Sequence, residues 1–173
     1  MTVLLGIDLG TRACAAVVCP TDWDGEWKRV RSLVVGAPLR RDSTDTERAR
    51  RTETIAVKLV AFARETGASI ALVESYAYGM RTSAHTLGEL GGVVRLELVR
   101  AGLDVRTAQM STARKLLLGK VPRSDASMAC YTALRAAGAP FGTADEAAAF
   151  CAVNLGLSEL GGYCFAQGEE RAA

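Results

Sequence analysis

The 173-residue sequence has a single histidine, His85, and no two cysteines in a CxxC spacing. Its five cysteines (Cys14, Cys19, Cys130, Cys151 and Cys164) are odd in number and lie among Ala, Val and Phe. Cysteine in that company packs as a small apolar side chain, so reduced core thiols are expected and a cysteine-ligated zinc site is disfavoured. No apolar run approaches the roughly 18 residues needed to cross a bilayer. Internal repeats, low-complexity stretches and linker-like segments are also missing. The chain starts directly on Val3-Leu4-Leu5, without a basic leader or cleavage site, so a cytoplasmic protein with no membrane partner is expected. An excess of one charge is lacking too: 21 Lys and Arg stand against 19 Asp and Glu, and a net +2 points to no partner.

What is present is enough apolar sequence, 49%, to close a core in one domain over residues 1–165, with 166–173 as a flexible tail. Val3 to Asp8 reads as a buried strand cut by Gly10, and Ala13 to Cys19 as a second strand ended by Pro20. Lys28 to Val35, after the Asp24-Gly25 turn, reads as a third. Short connections make these three an antiparallel meander. The period then changes. Ser43-Thr44, with Glu47 three residues on, is an N-cap signal, and Ile55, Leu59, Val60, Phe62 and Ala63 follow helical spacing up to Gly67. Ser69 to Val73 is a continuous apolar run, as in a central parallel strand, and it ends on Glu74.

A second helix is predicted from about Ser83 to Arg100, burying Leu87, Leu90, Val94, Leu98 and Val99. Gly88, Gly91 and Gly92 within it each cost about 1 kcal/mol relative to alanine. A close packing approach or a dimer seam would explain them. Leu103 to Thr107 gives a fifth strand. Helices are expected over Ser111–Leu118, Ser124–Ala137 and Thr143–Leu157. The fold class is therefore α/β: a five-stranded mixed sheet with helices on both faces.

Three acids occupy positions that matter chemically. Asp8 ends the first strand within Gly6-Ile7-Asp8-Leu9-Gly10-Thr11, where the glycines clear space around a carboxylate. Glu74 ends the central strand after an apolar run, and a buried carboxylate needs a partner. Asp145 opens the last helix, where its plainer role is to complement the helix dipole and the free amides. If the first and fourth strands are neighbours, Asp8 and Glu74 end side by side, and a helix across that edge brings Asp145 to them. Clustered carboxylates repel and call for cations. Hard oxygen ligands select Mg²⁺ or Mn²⁺, and two such ions can activate water and stabilise a leaving oxygen in phosphodiester hydrolysis. Basic residues cluster at Arg40-Arg41, Arg48 with Arg50-Arg51, Arg114-Lys115, and Lys120 with Arg123. These suit phosphate backbones, or simply a solvated face.

The ordered set GIDLGTRACAAVV, ALVESYAYGM, TARKLLLGK and ADEAAAFCAVNLG resembles the RuvC family of Holliday junction resolvases, in the RNase H-like superfamily, and its phage-type members most. The first motif alone is shared with sugar kinases and Hsp70-like ATPases. The resemblance spans nearly the whole chain and implies a homodimer that nicks four-way DNA junctions symmetrically with Mg²⁺, in the bacterial host cytoplasm if phage-encoded. It places the family's first two carboxylates at Asp8 and Glu74. Tyr76 or Tyr78 would contact bases near the junction, as any base stacks on an aromatic face, or would pack at the core edge. Lys115, with Arg114 beside it, takes the place of a family basic residue.

The sequence departs from that pattern twice. The family's last helix carries two acids three residues apart; Asp145 fits the first, and the second falls on Ala148. Either Glu146 substitutes for it, or the chain is a natural inactive variant, or Ala148 is an engineered replacement made to trap a complex, which a lone methyl in an acidic site favours. A lysine expected after Gly119 is replaced by Asp125, with Lys120 and Arg123 near it as phosphate contacts. Two other functions stay open at this point: a non-catalytic junction-binding protein, and a phosphotransferase built on the Asp-x-Gly-Thr loop.

Overall fold

The computed structural model describes residues 2–36, 38, 40, 42–75 and 84–166. Arg41, Tyr76, Tyr78, Ser83 and residues 167–173 of the expected tail lie outside the described residues. The elements follow the order β1 (Val3–Leu9), β2 (Ala13–Pro20), β3 (Arg31–Gly36), α1 (Asp45–Thr66), β4 (Ile70–Glu74), α2 (Ala84–Arg100), β5 (Asp104–Ala108), α3 (Met110–Leu118), α4 (Ala126–Ala136) and α5 (Ala144–Glu159). The third strand starts later than the alternation suggests, because Trp27–Arg29 forms a turn of 3-10 helix. That turn is held by Trp27 Nε1, which donates to the Ala137 carbonyl at 2.8 Å.

The strands make one sheet in the order β3-β2-β1-β4-β5. β1, β2 and β3 pair antiparallel, while β1 with β4 and β4 with β5 pair parallel, so the sheet is mixed. Side chains alternate across a strand, and here the alternation sorts the helices. Leu5, Ile7, Ala71 and Val73 face α1 and α2, packing with Ile55, Leu59, Leu90, Val94 and Leu98. Leu4 and Leu72 face the opposite side, with Leu117, Leu134 and the apolar length of α5.

The end signals of α1 act as the sequence predicts. Thr44 and Glu47 form a reciprocal capping box, and Gly67 ends the helix at φ 68°, a left-handed conformation that glycine adopts without steric cost. Val99 is a correction: it is 56% exposed, outside the buried stripe of α2. Arg51 is another. Rather than joining a solvated basic cluster, it is 8% exposed and lies one turn before Ile55 in the buried stripe of α1. Every residue of α5 from Glu146 to Leu157 is buried, as expected of a helix that is apolar nearly all round. Its one fully buried amide side chain, Asn154, is paired at both ends with the Phe165 backbone, at 2.8 and 2.7 Å. Among the described residues no helix is long and apolar enough to cross a membrane.

Candidate metal centre

Asp8 and Glu74 fall on the same face of the sheet for a reason set by register. Ile7 pairs with Val73 in the parallel β1–β4 ladder, so the next residue of each strand is an acid. Each acid has the parity of Leu4 and Leu72, which face α5. α5 runs close over β1 at that point. A Cβ built on Gly6 would lie 2.1 Å from the Ala149 carbonyl oxygen and 2.8 Å from Val153 Cγ2. Glycine at position 6 is thus what lets α5 settle on the strand. Asp145, one helical turn before Ala149, is carried to the strand end that bears Asp8.

The electrostatics match this placement. The Asp8 carboxyl is pushed up from 3.8 to about 8, first by burial, then by a side-chain hydrogen bond with Glu74, and further by the charges of Glu74 and Asp145. The Arg114 guanidinium opposes this shift. Asp8 and Glu74 therefore stand together only with a proton or a cation between them. Asp145 acts on the pair through space. Among the described residues no three His, Cys, Asp or Glu side chains converge tightly enough to close a metal shell by themselves. The donors are hard carboxylate oxygens, and the mutual repulsion of Asp8 and Glu74 is what a divalent cation relieves, so the residues fit Mg²⁺ or Mn²⁺.

Glu146 does not join them, which corrects its expected place in the site. Its Oε1 accepts from Ser32 Oγ at 2.6 Å, and its Oε2 accepts from the backbone amides of Gly142 and Thr143 at 2.9 Å. With Thr143 it forms the capping box of α5. Thr143 and Glu146 thereby take the capping work that was the plainer reading of Asp145. Ala148 is 4% exposed, belongs to the apolar cluster under α5, and, three residues on from Asp145, neighbours it on the same helix face. A methyl group there is ordinary core packing.

The basic candidates divide by exposure. Lys115, Lys120 and Arg123 are exposed. Arg114 is half-buried and is the one whose charge reaches Asp8, Cys130 and Cys151. Its Nη2 donates to Ser127 Oγ at 3.2 Å, and among the described residues its buried Nε has no hydrogen-bond partner. Sequence reasoning put Lys115 first; the structure puts Arg114 beside the acids. Two arginines escaped the sequence reading of the site altogether. Arg51 Nη2 donates to the Gly10 and Thr11 carbonyls at 3.1 and 2.8 Å, and Arg95 Nη2 donates to the Glu74 carbonyl at 2.8 Å. The available signal for Arg51 was its spacing of four from Ile55 on an otherwise apolar stripe.

No protein-family model matches this sequence, and no curated protein sequence matches it significantly. Solved structures do. The chain is similar to Thermus thermophilus RuvC in complex with a Holliday junction substrate, with a TM-score of 0.64 and 16% identity over 93% of this chain and 97% of that one. A second Thermus thermophilus RuvC structure gives 0.64 at 14% identity, over 93% and 98%. The chain thus has the RuvC-like, RNase H-like fold that its motifs suggested.

Proposed function

We propose that this protein is a metal-dependent nuclease that recognises branched DNA and nicks four-way junctions as a homodimer. The observation that carries the reading is the Asp8–Glu74 pair, half-buried at adjacent strand ends, with Asp145 acting on it from α5. That arrangement stands on a fold whose similar structures include a RuvC bound to a Holliday junction substrate. Asp8, Glu74 and Asp145 would hold Mg²⁺ or Mn²⁺, as one ion or as two. Bound there, the metal supplies a polarised phosphate oxygen and an activated water. Arg114, whose charge acts on Asp8, would offset the negative charge of a phosphate held near the carboxylates. Lys115, Lys120 and Arg123 extend positive charge along α3 and the loop after it, where a DNA backbone would run. Tyr76 and Tyr78 come shortly after Glu74 in sequence and would meet bases at the branch point. With Ala148 contributing only a methyl group, Asp8, Glu74 and Asp145 are the carboxylates that would carry the site.

The test is a labelled four-way junction with Mn²⁺. Paired, symmetric nicks are expected, and a linear duplex of the same sequence should stay intact. Binding measured in Ca²⁺ should weaken steeply with salt as phosphate contacts release counterions. Binding without any cutting would leave a junction-binding protein, and a flat salt profile would remove the basic residues from the interface.

The dimer reading rests on the outer face of α2. Val93, Leu96 and Val99 are 36%, 49% and 56% exposed at helical spacing, and Val57 of α1 is 61% exposed. A Cβ on Gly92 would meet nothing within 4 Å among the described residues. Packing among the described residues therefore does not explain this glycine, whereas a second copy would. Sedimentation should show a dimer at micromolar concentration and a monomer for Leu96→Glu. A monomeric parent protein would end this reading.

A further inference from the structure

The two strands that carry Asp8 and Glu74 are each gripped from behind by an arginine. α1 and α2 lie on the face of the sheet opposite the carboxylates. From α1, the buried Arg51 donates Nη2 to the carbonyls of Gly10 and Thr11, in the turn leaving β1 two residues after Asp8. From α2, Arg95 donates Nη2 to the carbonyl of Glu74 itself, and its Nη1 donates to Gly91 on its own helix. At the two strand ends both arginines bond to backbone carbonyls, and Arg114 is the cation whose charge acts on Asp8.

We propose that Arg51 and Arg95 are a pair of positioning residues that hold the ends of β1 and β4 in register, so that Asp8 and Glu74 stay converged against their own repulsion. Strand ends fray most easily, and here each end carries a carboxylate that pushes its neighbour away. A guanidinium bonded to a strand-end carbonyl opposes that separation without entering the site. Such supporting contacts fix the geometry of metal-binding carboxylates and typically change metal affinity 10–100-fold when removed. This inference rests on the metal-site reading above for its consequence, but the clamp itself is a property of the metal-free fold.

The experiment uses the full chain with Arg51→Met, Arg95→Met and the corresponding lysine variants. Amide hydrogen exchange in the metal-free protein should rise at the β1–β2 turn in Arg51→Met and at Ser75 in Arg95→Met, with the centre of the sheet unchanged. Affinity for Mn²⁺, read by titration well below the unfolding temperature, should fall about tenfold or more in each methionine variant and recover in large part with lysine. A general loss of protection across β1, β2 and β4 would make the arginines mere stabilisers and overturn the proposal, as would strand-end exchange equal to that of the parent. Should a methionine variant fail to fold, the corresponding glutamine variant, which also loses the guanidinium, carries the same exchange readout. If the parent protein binds no Mn²⁺, the metal-site reading fails, and the exchange arm still decides the clamp.

Discussion

Asp8→Asn should abolish junction cleavage, by a factor of about 10³ or more, and at the same time stabilise the metal-free protein at alkaline pH. The loss follows from removing a ligand whose contribution to transition-state charge stabilisation is several kcal/mol. The gain follows from linkage. Asp8 has a folded-state pKa raised to about 8, against an ordinary value of 3.8. Below about pH 4 the group is protonated in both states and has no effect on stability. Between about 4 and 8 the folded protein keeps a proton that the unfolded chain has released, so unfolding free energy falls as pH rises. Above 8 the cost is complete, on the order of a few kcal/mol. The metal-free parent should therefore unfold at progressively lower temperature from pH 5 to pH 9, and Asp8→Asn should flatten that slope. Mn²⁺ competes with the proton, so its stabilising effect should be larger at pH 8.5 than at pH 6. A parent whose unfolding temperature does not fall over this range would show that Asp8 and Glu74 are not forced together.

Gly6→Ala should be strongly damaging for the addition of a single methyl group. The added Cβ would meet the Ala149 carbonyl oxygen at 2.1 Å, and no rotamer change relieves a clash with backbone. Either β1 or α5 must shift, at a cost of about 3 kcal/mol or more. α5 also carries Asp145, so the displacement should cut cleavage as well as stability. Gly36→Ala is the control: its Cβ would meet nothing within 4 Å among the described residues, and its unfolding temperature should match the parent's. A Gly6→Ala protein with parental stability and activity would mean that α5 does not rest on β1 as described.

The order of strands and helices, the capping of α1 and the candidate acids Asp8 and Glu74 were legible because each depends on local chemistry. Apolar periodicity separates strand from helix, Thr44 with Glu47 marks a helix start, and an acid closing an apolar run stands out whatever surrounds it. The roles around α5 were not legible in the same way. Asp145 and Glu146 are adjacent acids at a helix start, and nothing in their spacing says which caps and which faces the sheet. The distinction comes from Ser32 on β3, 114 positions away in the chain, which donates to Glu146 and holds it away from the acids.

Ala148 looked like a gap because the sequence was compared with a pattern of acids. Packing shows it as core, since the sheet-facing stripe of α5 is set by where Gly6 lets the helix touch down. Arg51 and Arg95 were invisible as strand clamps for the same reason: their partners are backbone carbonyls on other elements, which leave no trace in side-chain spacing. The sequence by itself determined which elements form and where the acids end their strands. Only the tertiary structure decided which side chains meet, because the β1–β4 register and the height of α5 over the sheet depend on contacts between residues far apart in the chain.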